Sequence, residues 1–300
     1  MWEDLLKDCT LCPRECHTNR LEGNKGRCGM TVELVVARAA LHMWEEPCIS
    51  GETGSGTVFF SGCALGCVYC QNHNIASGIT GKTITVARLA EIFMELQQKS
   101  ANNINLVTPS HFIPQIKEAL LRARTLGLTI PIVYNSSGFE KPEALRLLEG
   151  LVDIYLPDFK YMDSTIAKKY SNAMDYPTRA KESIREMFRQ VGTPVFSENG
   201  IMLKGMMVRH LILPGQGYDS MQILKYLYET YKDSIYVSIM NQFTPLENVV
   251  RYPEINRKLT EKEYDEVVEY AIEIGIENGF IQEGETATES FIPEFNEEGV

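Results

Sequence analysis

The chain has 300 residues, a formal net charge of −11, 44% hydrophobic residues and 23% charged residues. That length suits one large α/β domain with a sizeable core, and the acidic balance argues against a nucleic-acid scaffold, whose footprint is basic. No apolar run approaches the ~20 residues of a membrane helix, and residues 1–5 carry neither the cationic start nor the apolar stretch of a secretory leader, so a cytoplasmic protein without membrane or nucleic-acid partners is expected.

Seven of the eight cysteines fall in two tight groups, which reads as metal ligation rather than disulfide bonding. The first group is Cys9, Cys12, Cys16 and Cys28, spaced C-x2-C-x3-C-x11-C. Four thiols can complete a tetrahedral zinc site or hold an iron–sulfur cluster, and ligand softness permits either. Pro13, Gly26 and Gly29 suit the knuckle-like turns that aim sulfurs at one point, while His17 reads as a surface residue. Residues 1–50 are therefore expected to form a Cys-rich metal-binding segment, and 51–300 a catalytic domain ending in a helix and tail. Residues 33–43 read as extended, and the isolated Cys48 as a buried thiol. The glycines at 51, 54 and 56 make a loop without the Gly-Lys-Ser/Thr of a phosphate loop.

From residue 57 a strand–helix rhythm begins. Short apolar runs at 57–60, 104–107, 131–134, 152–156, 206–212 and 234–239 read as strands. Helices are expected over 86–99, where Thr85 is a cap and Leu89, Ile92, Phe93 and Leu96 share a face, and over 113–126. Others are expected around 144–148 and over 180–191, 218–231 and 260–277, the last capped by Thr260. Residues 192–205 read as a connector. The polar tail, 286–300 with Phe291 and Phe295, either packs over a rim or lacks order. Six βα units imply a parallel sheet with helices outside: an α/β fold, a partial (β/α)6 barrel open on one side with a small N-terminal Cys-rich extension. In barrels the active site lies at the C-terminal strand ends. Residues 63–70, 108–111 and 135–138, Asp158 with Lys160, and Asn241 with Gln242 would then ring one mouth.

The second cysteine group is Cys63, Cys67 and Cys70, spaced C-x3-C-x2-C. Three thiolates leave one iron of a cubane cluster without a protein ligand, whereas ordinary clusters are closed by four. An open metal position can take a substrate or cofactor. Gly66 suits the tight loop, and Tyr69 can cover one edge of a bound group. This spacing, with an aromatic before the third cysteine, resembles the signature of the radical S-adenosylmethionine (SAM) superfamily. The continuation Gln71, Asn72, His73, Asn74, Ile75 is similar to the branch containing pyruvate formate-lyase activating enzyme, some of whose relatives share an N-terminal Cys-Pro-Arg arrangement.

The resemblance implies a [4Fe-4S] cluster on Cys63, Cys67 and Cys70 with SAM on the fourth iron. It also implies oxidoreductase chemistry: reductive cleavage of SAM to methionine and a 5′-deoxyadenosyl radical that abstracts hydrogen. A reductant such as flavodoxin or ferredoxin would supply the electron. The substrate would be a glycine in a glycyl radical enzyme or another protein, with a small molecule as the alternative.

Asp158-Phe159-Lys160 resembles the Asp-Leu-Lys segment of activating enzymes, and alternation puts Asp158 and Lys160 on one side. Thr108, Ser110 and His111 stand where the superfamily often carries Gly-Gly-Glu, so the acidic residue is missing there. Asn135 and Ser136 occupy the place of Asp-Thr-Asn-Gly, with only Gly138 kept. Residues 209–215 are similar to a fifth-strand segment from which a basic residue reaches SAM. Arg209 and His210 face opposite ways on a strand, and His210 is taken as the inward one. With Tyr69 and Asn72, these residues form the expected SAM set. Two other classes remain from the residues: a non-catalytic electron-transfer protein with two clusters, and a zinc-dependent binding module that docks a partner through Cys9, Cys12, Cys16 and Cys28.

Overall fold

The computed structural model describes residues 4–282 and 293–300. Among these residues ten strands appear in chain order: β1 (Leu34–His42), β2 (Ser55–Phe60), β3 (Lys82–Ile84), β4 (Ile104–Val107), β5 (Ile132–Ser136), β6 (Ile154–Pro157), β7 (Val195–Phe196), β8 (Met202–Leu211), β9 (Tyr236–Met240) and β10 (Gly279–Ile281). The sheet runs β10-β9-β8-β6-β5-β4-β2-β1-β3 and does not close, with β7 flanking β8. From β2 to β10 every neighbouring pair on this path is parallel, while β1, β3 and β7 pair antiparallel. The six expected strands are β2, β4, β5, β6, β8 and β9. The seventh parallel strand, β10, is three residues long and carries no periodic signal; it exists because β9 offers an unpaired edge.

Alternation sorts the side chains. Ile104, Leu106, Ile132 and Tyr134 join Leu89, Phe93, Ile116 and Leu120 of the helices Val86–Gln98 and Ile113–Thr125 in the main core. Val133, Ile154, Leu156 and Met207 point the other way and meet Cys48 and Ile49. The short helix Pro47–Ser50 thus plugs the interior from the bottom, and Cys48 is a buried thiol there, 5% exposed.

Local chemistry sets most helix starts. Thr85 accepts the Arg88 N–H at 3.0 Å, and Thr260 with Glu263 forms a reciprocal capping box. Three expectations are corrected. The last helix ends at Glu273 rather than 277, because Gly275 adopts φ +95° and turns the chain toward β10. The helix expected from 180 begins at Tyr176, with Pro177 in its first turn, and is preceded by the unexpected helix Ser164–Ser171, capped by Asp163. Residues 192–205 are not a plain connector: they contain β7 and the start of β8. Gly205 permits this, since a Cβ there would lie 2.5 Å from the Pro194 backbone.

Leu6, Cys9, Leu11, Cys28 and Met30 sit in the main core with the strands. Arg20 is fully buried, donating to Thr31 O at 2.6 and 3.0 Å and to His111 O at 2.8 Å. Among the tail residues, Phe295 meets Phe59 edge-on at 5.3 Å, and Glu297 and Glu298 bond the backbone of Ala37 and Ala39. Phe291 lies outside the described residues.

Candidate active site

The loop after β2 carries Cys63, Cys67 and Cys70, and it is held from outside by contacts that do not use the sulfurs. Arg14 donates to Ala64 O at 2.9 Å and Leu65 O at 3.0 Å, and the Val68 N–H bonds Tyr170 O at 2.9 Å. Gly66 takes φ +66°, the left-handed turn that brings Cys67 back toward Cys63. A polar group then faces the sulfurs: the Ser171 hydroxyl donates to Cys67 Sγ at 3.1 Å. Burial pushes the Cys70 thiol up to about 12 and raises Cys63, so a cation must displace their protons.

The three cysteines line two cavities. One, of about 250 Å³, is shared with Arg27 and Cys28. The other, of about 230 Å³, opens into the mouth of the sheet. Among the described residues no three side chains of His, Cys, Asp or Glu are gathered as ligands of a single metal ion. A lone zinc needs sulfurs at ~2.3 Å, whereas a multi-iron cluster spreads its ligands over several metal atoms. The triad's all-sulfur donors, with the Ser171 hydroxyl directed at Cys67, fit such a cluster.

Of the expected SAM set, Tyr69, Asn72, Thr108, Asn135, Ser136, Asp158 and Lys160 line the second cavity. Thr108 does so at φ +57°, a conformation that costs a β-branched residue about 1–3 kcal/mol. Ser110, His111 and His210 do not line it. Ser110 turns back to donate to Glu140 at 2.6 Å. His111 is buried with Nε2 2.7 Å from Ser61 O, two residues ahead of the cysteine loop; burial, with Arg20 adding to it, pushes the imidazole down to about 3, so it is neutral.

The choice of His210 is corrected. Its ring lies on the outer side of β8, Nδ1 donating to Phe159 O at 2.7 Å and Nε2 pairing with the Ser220 hydroxyl at 2.8 Å. Arg209 faces the cavity instead, on the same side of β8 as Met207 and Leu211.

Arg209 organises the cavity floor. It meets Asp158 and Glu45 at 3.0 Å each and Asn135 Oδ1 at 2.6 Å, and Lys160 meets Asp158 at 2.6 Å. Glu45 also accepts from Asn105 at 3.0 Å and Asn135 at 3.3 Å. Burial alone would raise the Asp158 carboxyl, but Lys160 and Arg209 outweigh it and hold it below its usual range. Sequence reasoning missed Glu45 and set Arg209 aside. Glu45 lies in no motif and reaches the network because the segment leading into the Pro47–Ser50 plug runs beneath the sheet.

Behind the wall, burial raises the Glu140 carboxyl to about 7. An unfolded glutamate titrates near ~4.3, so this group's stabilising share is complete below that value and is lost as pH climbs toward 7, after which it is flat. Between pH 5.5 and 8 the native chain is expected to lose about 2 kcal/mol relative to Glu140→Gln, which stays neutral. Urea unfolding of both chains at the two pH values measures this, and parallel losses would refute it.

The sequence profile of the Radical SAM superfamily matches residues 57–227. An uncharacterized protein of Methanocaldococcus jannaschii is 28% identical over 278 residues, covering 90% of this chain and 75% of its own length. Crystal structures of Streptococcus suis SuiB bound to the precursor peptide SuiA and bound to S-adenosylmethionine are each 13% identical, with TM-scores of 0.49 and 0.47 over 74% and 76% of this chain. The chain spans about half the length of those structures, 47% in each case. The superfamily match covers more than half of the chain and contains the cysteine loop, the cavity walls Thr108, Asn135, Asp158 and Lys160, and Arg209: the chain belongs to the radical SAM superfamily.

Proposed function

We propose that this radical SAM enzyme holds a [4Fe-4S] cluster on Cys63, Cys67 and Cys70 and SAM in the adjoining 230 Å³ cavity, and that it abstracts hydrogen from a glycine of a partner polypeptide. The observation that carries the first part is the cysteine triad opening directly onto a cavity floored by paired charges. When bound, the cluster supplies one electron to SAM, and SAM supplies the 5′-deoxyadenosyl radical. The chain's own residues bind and orient. Lys160 is the cation suited to a carboxylate; Asp158, Thr108 and Ser136 can accept from an ammonium group; Val107, Leu211 and Met240 offer apolar wall that excludes water. No protein general base is needed.

The glycine substrate is supported by the likeness of residues 71–75, 158–160 and 209–215 to activating enzymes. The proposed electron donor is a flavodoxin or ferredoxin.

Anaerobic reconstitution with iron and sulfide, reduction and SAM addition should yield 5′-deoxyadenosine. None from an intact, reducible cluster would overturn the reading in favour of an electron-transfer protein. Host protein labelled with α-deuterated glycine should pass deuterium into the 5′-deoxyadenosine. Turnover with the small-molecule fraction alone, and no label from the protein, would replace glycine by a small-molecule substrate.

A further inference from the structure

Two observations outside the SAM cavity concern the N-terminal cysteines. The first is how closely their loop is fastened to the radical SAM loop. Arg14, between Cys12 and Cys16, donates to Ala64 O and Leu65 O, which lie between Cys63 and Cys67. It also donates to Ser171 O at 2.8 Å, in the residue whose hydroxyl meets the Cys67 sulfur. Arg27 closes over the other side, its guanidinium 3.5 Å from the place a Cβ on Gly66 would take. The 250 Å³ cavity is consequently lined by Arg27 and Cys28 together with Cys63, Cys67 and Cys70.

The second observation is the way main chain surrounds these sulfurs. The Arg27 N–H donates to Cys16 Sγ at 3.2 Å, and the loop is folded on itself by the Cys9 N–H on Thr18 O at 3.1 Å, the His17 N–H on Cys9 O at 3.0 Å and the Glu15 N–H on Cys12 O at 3.1 Å. An N–H···S contact is weak to a neutral thiol and charge-assisted to a thiolate, so the arrangement suits metal-bound sulfur. In the radical SAM triad the Ser171 hydroxyl makes the corresponding contact, donating to Cys67 Sγ at 3.1 Å. Cys28 borders the triad's cavity and is buried in the same core as Cys9, and Arg27, whose N–H donates to Cys16 Sγ, immediately precedes it in the chain. The His17 side chain is 60% exposed and pairs with Asp8 at 3.0 Å, whereas Cys9 and Cys28 are buried and Cys12 and Cys16 half-buried.

Taking the radical SAM reading for the acceptor, we propose that Cys9, Cys12, Cys16 and Cys28 hold a second iron–sulfur cluster that relays single electrons from a flavodoxin- or ferredoxin-class donor to the Cys63/Cys67/Cys70 site. The donor is oxidised by one electron, the N-terminal cluster is reduced by one, and that electron crosses the Cys28 wall. It is consumed when the sulfur–carbon bond of SAM breaks; no protein bond forms or breaks in the relay.

The test uses the full chain purified without oxygen. Iron, acid-labile sulfide and zinc are counted, and electron paramagnetic resonance spectra are taken after dithionite with and without SAM. The expected result is about eight irons and eight sulfides per chain without stoichiometric zinc, and two signals of which SAM alters one. About four irons, with zinc or free thiols in the other set, overturns the proposal. In Cys12→Ser and Cys16→Ser, the SAM-responsive signal should persist while the other disappears. The ratio of flavodoxin-driven to dithionite-driven SAM cleavage should fall about tenfold or more. An unchanged ratio in a variant that has lost the second signal overturns the relay. Both signals without any 5′-deoxyadenosine would uphold the second cluster and overturn the radical SAM reading instead.

Discussion

Replacing Cys67 with alanine is expected to bring 5′-deoxyadenosine formation below detection while the chain stays folded. The sulfur is one of three that line both cavities, so its loss leaves a cluster with two protein thiolates. The loop itself should survive, because Arg14 on Ala64 and Leu65 and the Val68–Tyr170 bond all use main chain rather than the sulfur. Circular dichroism should therefore match the native chain, while iron content falls. Ser171→Ala is the graded companion. It keeps the ligand and removes the hydroxyl 3.1 Å from it, so iron is retained, the reduction potential drops and cleavage slows by about 10–100-fold. Cleavage by Cys67→Ala at the native rate would refute the cluster assignment.

Asp158→Asn should have the next largest effect, and on two properties at once. Asp158 is the carboxylate shared by Lys160 and Arg209, and its side chain is 14% exposed. Removing the charge leaves Lys160 without its anion, and Arg209 keeps Glu45 and Asn135, with the buried Glu46 as a further neighbouring charge. Breaking a buried pair from one side costs about 3 kcal/mol or more, a fall of roughly 5–10 °C in Tm for a chain of this size. SAM affinity should weaken by about tenfold or more as a charged contact is lost. The sign with pH follows from the lowered carboxyl: the stability it confers is present above the unfolded value and disappears as pH falls through the folded one, so native and variant curves should converge in acid. Thermal melts across pH and a SAM titration measure both; an unchanged Tm together with unchanged SAM affinity would show that the network is incidental.

Much of the frame was legible because it is local. The apolar runs at 104–107 and 131–134 fall on β4 and β5, and Thr85 and Thr260 cap helices as their own side chains dictate. Where the reading slipped, the deciding partner was far away in sequence. Ser110 and His111 carry suitable chemistry, but Glu140 and Ser61 claim them. The connector at 192–205 became strand because β8 found β6 and β9, and β7 found β8.

The sequence by itself determined the site's chemistry: three sulfurs within eight residues at the end of a strand, and a second set of four before it. Both are matters of spacing along the chain. Only the tertiary structure decided that Arg209 rather than His210 faces the cavity. A strand can present either face, and the choice lay with Asp158, 51 residues earlier, and Glu45, 164 residues earlier. It alone brought Arg14 onto the radical SAM loop, 50 residues on, and made Cys28 a wall of the triad's cavity. Such contacts exist only once the sheet has brought remote segments within hydrogen-bonding range, a distance no local pattern encodes.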